Sequence, residues 1–135
     1  MASARTPLDD LRREIDQIDD AIHDLLMRRA AVVERIGAAK GNGAAEAGAQ
    51  PVFLRPAREA TILRRLMARH AGTFPAQVVV RIWREMITAF TRMQGPFAVA
   101  VYAPEDRRGF WDVARDHFGG FVPMTAVNTP AAASA

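Results

Sequence analysis

Arg29 stands where a helical chain normally places an apolar side chain, and it is the first residue in this sequence that demands a chemical explanation. From Leu8 onward, large apolar residues fall at Leu11, Ile15, Ile18, Ile22 and Leu25, in alternating steps of three and four. The next steps land on Arg29, then Val32, then Ile36. Such spacing marks a helix whose seam packs against another helix. A guanidinium in that seam must be paired with an anion or reach water, because an unpaired buried charge is very costly. Either an acidic residue of another helix answers it, or an anionic ligand does. Lys40 follows eleven residues later. On a helix the two differ by only about 20° in azimuth and about 16 Å along the axis, so both can lean toward a ligand lying between them. Lys40 is also the only lysine, against 17 arginines. A compact ammonium in a chain that otherwise uses planar guanidinium groups suggests that the point charge itself is wanted.

Other residues join this pair conditionally. Arg12 lies seventeen residues before Arg29, about 25 Å away and on a different face. It cannot share a ligand with Arg29 in its own helix, but in an antiparallel dimer the partner's Arg12 comes alongside, giving a composite cationic pocket. Gln94 sits on the side of an apolar stripe, four residues after Phe90; it is either a solvated helix end or a hydrogen-bonding group of the site. Glu59, after Arg58, is by itself a carboxylate favoured by the start of a helix. His23, His70 and His117 are scattered without metal-ligand spacing, and no phosphate-binding glycine loop or catalytic triad pattern is present. Neither a metal nor a cofactor is expected.

The elements that must position these groups can be read from local signals. Thr6 can cap a first helix, with Pro7 at its first position and Asp9 and Asp10 at the positive end of its dipole. The helix is expected to run to Lys40, roughly 50 Å, and to stop at Gly41, Asn42 and Gly43, with residues 41–50 as a flexible loop. A second helix is expected from Pro56 to about Gly72. A third begins after Pro75, carries Val79, Ile82, Trp83, Met86, Ile87, Phe90 and Met93 at helical spacing, and ends at Gly95 and Pro96. Two shorter helices cannot cover one of 50 Å, so the uncovered seam implies a second copy of the chain. After Pro96 the pattern changes: a short strand over 97–103, a turn over 104–108, a short helix over 109–118, an extended piece over 121–127 and a tail. This resembles the opening of an α/β domain that stops before it has enough strands to fold alone. The expected architecture is therefore all-α, a three-helix intertwined dimer over residues 1–96 with a short α/β-like appendage over 97–135.

Composition narrows the function classes. The chain has 135 residues, half of them hydrophobic and about a quarter charged, with a net charge of +3. That is enough for one packed domain. Arginines alternate with acids along the helices, as in Arg12, Arg13, Glu14 and Asp16, and no basic stripe with interleaved aromatics appears; nucleic acid is not an expected partner. No segment could span a bilayer and none resembles a signal peptide, so a membrane is not expected either. The absence of cysteine fits a reducing compartment, and the cytoplasm is the expectation.

Taken together, the segments LDDLRREIDQIDDAIHDLLMRR, VVERIGAAK, PVFLRPAREATILRRL and VRIWREMITAFTRMQ resemble the all-helical class of chorismate mutases over residues 8–94. The resemblance implies an intertwined homodimer with two shared active sites and the rearrangement of chorismate to prephenate in phenylalanine and tyrosine biosynthesis. It implies that Lys40 and Gln94 hydrogen-bond the ether oxygen of the substrate. Arg29 and Arg58 would bind it, Glu59 would hold its hydroxyl, and Arg12 would be contributed across the dimer. Phe90 stands where some relatives carry a small polar residue that helps hold the ring carboxylate, and Arg55 where some carry an aspartate. The alternatives are a non-catalytic helical dimerisation module, in which a protein carboxylate answers Arg29, and a regulatory module that binds a small anion without turning it over.

Overall fold

The computed structural model describes residues 6–47 and 54–134, with the backbone alone over 41–47. Helix α1 spans Pro7–Ala47, α2 Pro56–Arg69 and α3 Ala76–Gln94; β1 is Val99–Tyr102, α4 Gly109–Phe118, β2 Met124–Val127 and α5 Pro130–Ala133. The start of α1 is fixed by a reciprocal cap. The Asp9 backbone N–H donates to Thr6 Oγ1 at 3.2 Å, and the Thr6 N–H donates to Asp9 Oδ2 at 3.2 Å. Two otherwise orphaned donors are satisfied by one pair of side chains. The Thr6 hydroxyl also donates to that carboxylate, and the hydroxyl and backbone bonds together hold the Asp9 carboxyl below its ordinary pKa.

The end of α1 corrects the expected stop. The helix passes through Gly41, Asn42 and Gly43 and continues to Ala47. Each glycine costs only about 1 kcal/mol relative to alanine in a helix interior. A helix already formed gains one hydrogen bond for each residue it adds, and Ala44, Ala45, Glu46 and Ala47 favour that extension. The remainder of the expected loop, 48–50, lies outside the described residues. Helices α2 and α3 follow the sequence reading, although α2 closes at Arg69, short of Gly72.

The core is small and lies where the three helices meet. Ile62 and Leu66 of α2 pack with Ile87 of α3, and Met67 and Trp83 flank them. On α1, Val33 is buried, whereas Val32, the expected seam position, is 44% exposed. The 3.6-residue helix has drifted by one position relative to a strict 3-4 seam over that length. Toward the N-terminus no described residue covers α1: Leu8, Leu11, Ile15, Ile18, Ile22 and Leu25 are each more than half exposed. No helix among the described residues is long and apolar enough to cross a membrane.

Beyond α3, β1 and β2 pair in parallel, with Val99 opposite Met124 and Tyr102 opposite Val127, and α4 lies between them in sequence. A single turn of 3-10 helix, Glu105–Arg107, occupies the expected turn, and Thr129 caps α5 within the expected tail. This unit grips the polar face of α3. The Glu85 carboxylate accepts the Gly120 N–H at 2.9 and 3.0 Å and the Phe121 N–H at 3.1 Å. Arg81 pairs with Asp116 at 3.1 Å, and Arg84 donates to His117 Nδ1 at 2.7 Å. Burial and the Arg84 charge both lower the His117 pKa, so its acceptor nitrogen stays free to receive that bond. Exposed pairs of this kind contribute about 0–1 kcal/mol each. The carboxylate on two backbone N–H groups is the stronger contact, because it is charge-assisted.

That contact depends on Gly119, whose φ is +81° and where a Cβ would collide with the Glu85 carboxylate. Gly119→Ala should lower stability by about 1–3 kcal/mol, from left-handed strain and loss of the carboxylate contact. Gly120→Ala, whose Cβ would meet its nearest neighbours at 3.8 Å, should cost far less. Urea midpoints of the two variants decide it; equal losses would mean that Glu85 is not what holds the turn.

Candidate active site

Three helices converge on an open cavity of about 500 Å³. Helix α1 supplies Arg29, Val33, Ile36 and Lys40, residues spaced four, three and four so that they share one face. The start of α2 supplies Arg58, Glu59 and Ile62, with Arg55 just before it. The last two turns of α3 supply Ile87, Phe90, Thr91 and Gln94. Every site residue expected from the sequence lines this cavity except Arg12. That side chain is 67% exposed and sits 3.6 Å from Asp9 of its own helix, away from the other cations.

Lys40 and Gln94, 54 residues apart in sequence, meet across the cavity. The Lys40 ammonium donates to Gln94 Oε1 at 3.2 Å. With its oxygen engaged, the amide has its NH₂ group left to donate, and the ammonium retains two further N–H groups. Two donors of different chemistry are thus aimed into the same space. Thr91, one turn back on α3, also lines the cavity and donates its hydroxyl to the Ile87 carbonyl at 2.8 Å.

Electrostatically the cavity is unbalanced. Burial lowers the Arg29 pKa and the nearby Arg58 charge lowers it further; burial and Arg55 act likewise on Lys40. Burial raises the Glu59 carboxyl above its ordinary value, and the Arg84 charge only partly opposes this. Among the described residues, Arg29 Nη1 is buried with no hydrogen-bond partner. No described carboxylate bonds it, so the seam arginine is not answered among the described residues. The guanidinium carbon instead lies 4.5 Å from the centroid of the Phe90 ring. Four cations around one carboxylate give the cavity an excess of positive charge, which suits a small molecule bearing more than one negative charge.

Sequence reasoning overlooked the apolar wall and one close approach. Val33 and Ile36 follow Arg29 by one and two turns, and Ile87 and Thr91 precede Gln94 in the same way; counting along the shared face would have found them. Gly37 is the less visible one. A Cβ there would lie 3.3 Å from Gln94 Cγ and 3.6 Å from its Cα, so a side chain at this point would push Gln94 aside by a few tenths of an ångström.

The family model for chorismate mutase type II matches residues 11–95. The chain is a member of that family. It is similar to the bifunctional chorismate mutase/prephenate dehydratase of Pseudomonas aeruginosa, 33% identical over 122 residues, covering 87% of this chain and 33% of that protein. The protein of the same name from Stutzerimonas stutzeri is 32% identical over 121 residues, again covering 87% of this chain and 33% of its own length. That from Neisseria gonorrhoeae is 34% identical over 94 residues, covering 70% and 24%. The chain therefore spans about a third of the length of the first two relatives. The longer alignments also run past the family match at residue 95, into the strand–helix–strand unit.

Gly37→Ala separates packing from site geometry. Alanine should raise helix stability by about 0.5–1 kcal/mol or leave it unchanged, while the new methyl group displaces the Gln94 side chain. The expected result is an undiminished melting temperature together with shifted side-chain amide resonances of Gln94. Unmoved amide resonances would mean that the approach of Gln94 does not depend on the bare backbone at position 37.

Proposed function

We propose that the chain is a chorismate mutase acting as a dimer, converting chorismate to prephenate in the biosynthesis of phenylalanine and tyrosine. The observation that carries this reading is the Lys40–Gln94 donor pair facing an unpaired Arg29 in one cavity. Chorismate has two carboxylates and an ether oxygen, and its rearrangement is an intramolecular pericyclic step. Such a step requires that the folded, near-attack conformer be held and that charge developing on the breaking C–O bond be stabilised. The arginines supply the first requirement. The Lys40 ammonium and the Gln94 amide supply the second, at a position where donors are already oriented and little solvent must reorganise. Glu59 receives the substrate hydroxyl. A binding module in which a protein carboxylate neutralises Arg29 fits less well, since no described carboxylate reaches Nη1.

The dimer follows from the bare half of α1. Six apolar side chains from Leu8 to Leu25 are more than half exposed. At about 1.5–3 kcal/mol for full burial of one such side chain, covering the exposed half of six contributes on the order of 5–9 kcal/mol per protomer. A second copy laid antiparallel along this seam covers it and carries Arg12 of the partner subunit to the cavity. In this reading residues 1–96 form the mutase domain, and 97–135 an appendage that braces α3.

Replacing Lys40 by alanine should lower kcat by about 10²–10³-fold while the protein stays folded, the usual loss for one preorganised donor at a developing oxyanion. Arginine should not restore it, because a planar fork cannot occupy the position of a compact ammonium. Chorismate consumption by the purified variants, followed by absorbance, provides the measurement; near wild-type kcat in Lys40→Ala would remove the mechanism.

Shared sites predict complementation. Arg12→Ala and Lys40→Ala homodimers should each be nearly inactive. Unfolded together in equal amounts and refolded, about half the dimers should be mixed, each with one site carrying both changes and one carrying neither. About a quarter of wild-type activity should return. If native mass spectrometry confirms mixed dimers and no activity returns, Arg12 does not serve the partner's site.

A further inference from the structure

The wild-type cavity holds Arg29 inward although two forces push it out. Its pocket neighbour Arg58 repels it, and the buried Nη1 forfeits hydrogen bonds that water would provide. A long, unbranched side chain on a helix can relieve both by swinging its head to solvent. What opposes that escape is Phe90. Its side chain is buried, it is fixed on the last two turns of α3, and the Arg29 Cζ lies over its ring at 4.5 Å. A cation over an aromatic face is attracted by the ring quadrupole, most strongly where water is excluded. Val33, Ile62 and Ile87 supply apolar walls to the same cavity and no competing acceptor.

We propose that Phe90 is a positioning residue that acts through Arg29: its ring holds the guanidinium in the cavity before substrate arrives and closes one of its faces, so that a substrate carboxylate meets a group whose orientation is already set. The proposal rests on the chorismate mutase reading. An aromatic face does here what a hydrogen-bonding side chain could do by touching the carboxylate itself: it fixes where the carboxylate goes, without adding a contact to it. Binding then requires less ordering of Arg29, because the ordering is already done in the free protein. The effect belongs to substrate binding. Gln94, one turn farther along α3, acts at the ether oxygen and is held separately by Lys40.

The test compares Phe90→Leu, which keeps an apolar side chain and loses the π-face, with Phe90→Tyr, which keeps both. Leucine should raise KM for chorismate about tenfold with kcat changed less than about threefold, the range expected for loss of a partly desolvated cation–π contact. Tyrosine should stay near wild type. A purely structural Phe90 would instead lower the melting temperature of the leucine variant with KM unmoved, or disturb both variants alike, and either outcome overturns the proposal. A second measurement needs no substrate. The Arg29 Nε–Hε resonance, assigned through Arg29→Lys, should be ring-current shifted in wild type, move toward the solvent-averaged position in Phe90→Leu, and remain shifted in Phe90→Tyr. An Arg29 resonance indifferent to leucine overturns the proposal even if KM changes. Wild-type protein that fails to consume chorismate overturns the functional reading alone, since the resonance still reports whether Phe90 holds Arg29.

Discussion

A buried arginine nitrogen with no partner among the described residues is the constraint on which the cavity depends. Placing Arg29 in a helical seam carries a desolvation cost that burial makes visible in its lowered pKa. A chain built only for stability would put leucine there, since well-packed apolar residues generally equal or exceed buried ion pairs. In the proposed reading a ligand supplies the missing negative charge and offsets the cost, and the surroundings suit that event. Arg58 and Arg55 add positive potential, the single carboxylate Glu59 stands apart from the Nη1 edge, and Phe90 supports the guanidinium without neutralising it.

Helix α3 transmits this arrangement to the rest of the chain because its two sides do different things. Ile87, Phe90, Thr91 and Gln94 face the cavity. Arg81, Arg84, Glu85 and Arg92 face the strand–helix–strand unit, where Arg92 donates to the Phe121 carbonyl at 3.4 Å. A helix with charge on its outer side would be content in water. Here those charges are instead engaged by Gly120, Phe121, Asp116 and His117, so the segment that follows α3 folds back along it. The helix that delivers Gln94 is thereby held from both sides, and Gly95 and Pro96 end it one residue later.

Legibility from sequence tracked the range of the interactions. Thr6 and Asp9 lie three residues apart and form the cap that their types announce. The bounds of α4 and the starts of α2 and α3 are likewise local matters of glycine, proline and apolar spacing. Residues of the cavity were visible because cations at one helical azimuth are improbable without a ligand, and the resemblance to a known family then tied them to Arg58, Glu59 and Gln94. Long-range contacts outside that family pattern were not visible: nothing near Glu85 announces Gly119, and nothing near Gly37 announces Gln94. Propensity misled where it stood alone, at Gly41 and Gly43, because a long helix already nucleated tolerates what a short one would not. Arg12 was tied to the site only through the family resemblance and an antiparallel dimer, and it does not line the cavity of the single protomer.

The solitary lysine has a practical side. Apart from the α-amino group, the Lys40 Nζ is the sole amine in the chain, and burial together with Arg55 eases its deprotonation. Reagents that acylate neutral amines, or aldehydes that form a reducible imine, would therefore mark one side chain, and that side chain lines the cavity. Isotopically labelled lysine would give a single resonance from the same place. The economy that left one ammonium among seventeen guanidinium groups has equipped the cavity with its own reporter, chemically addressable without introducing a foreign residue.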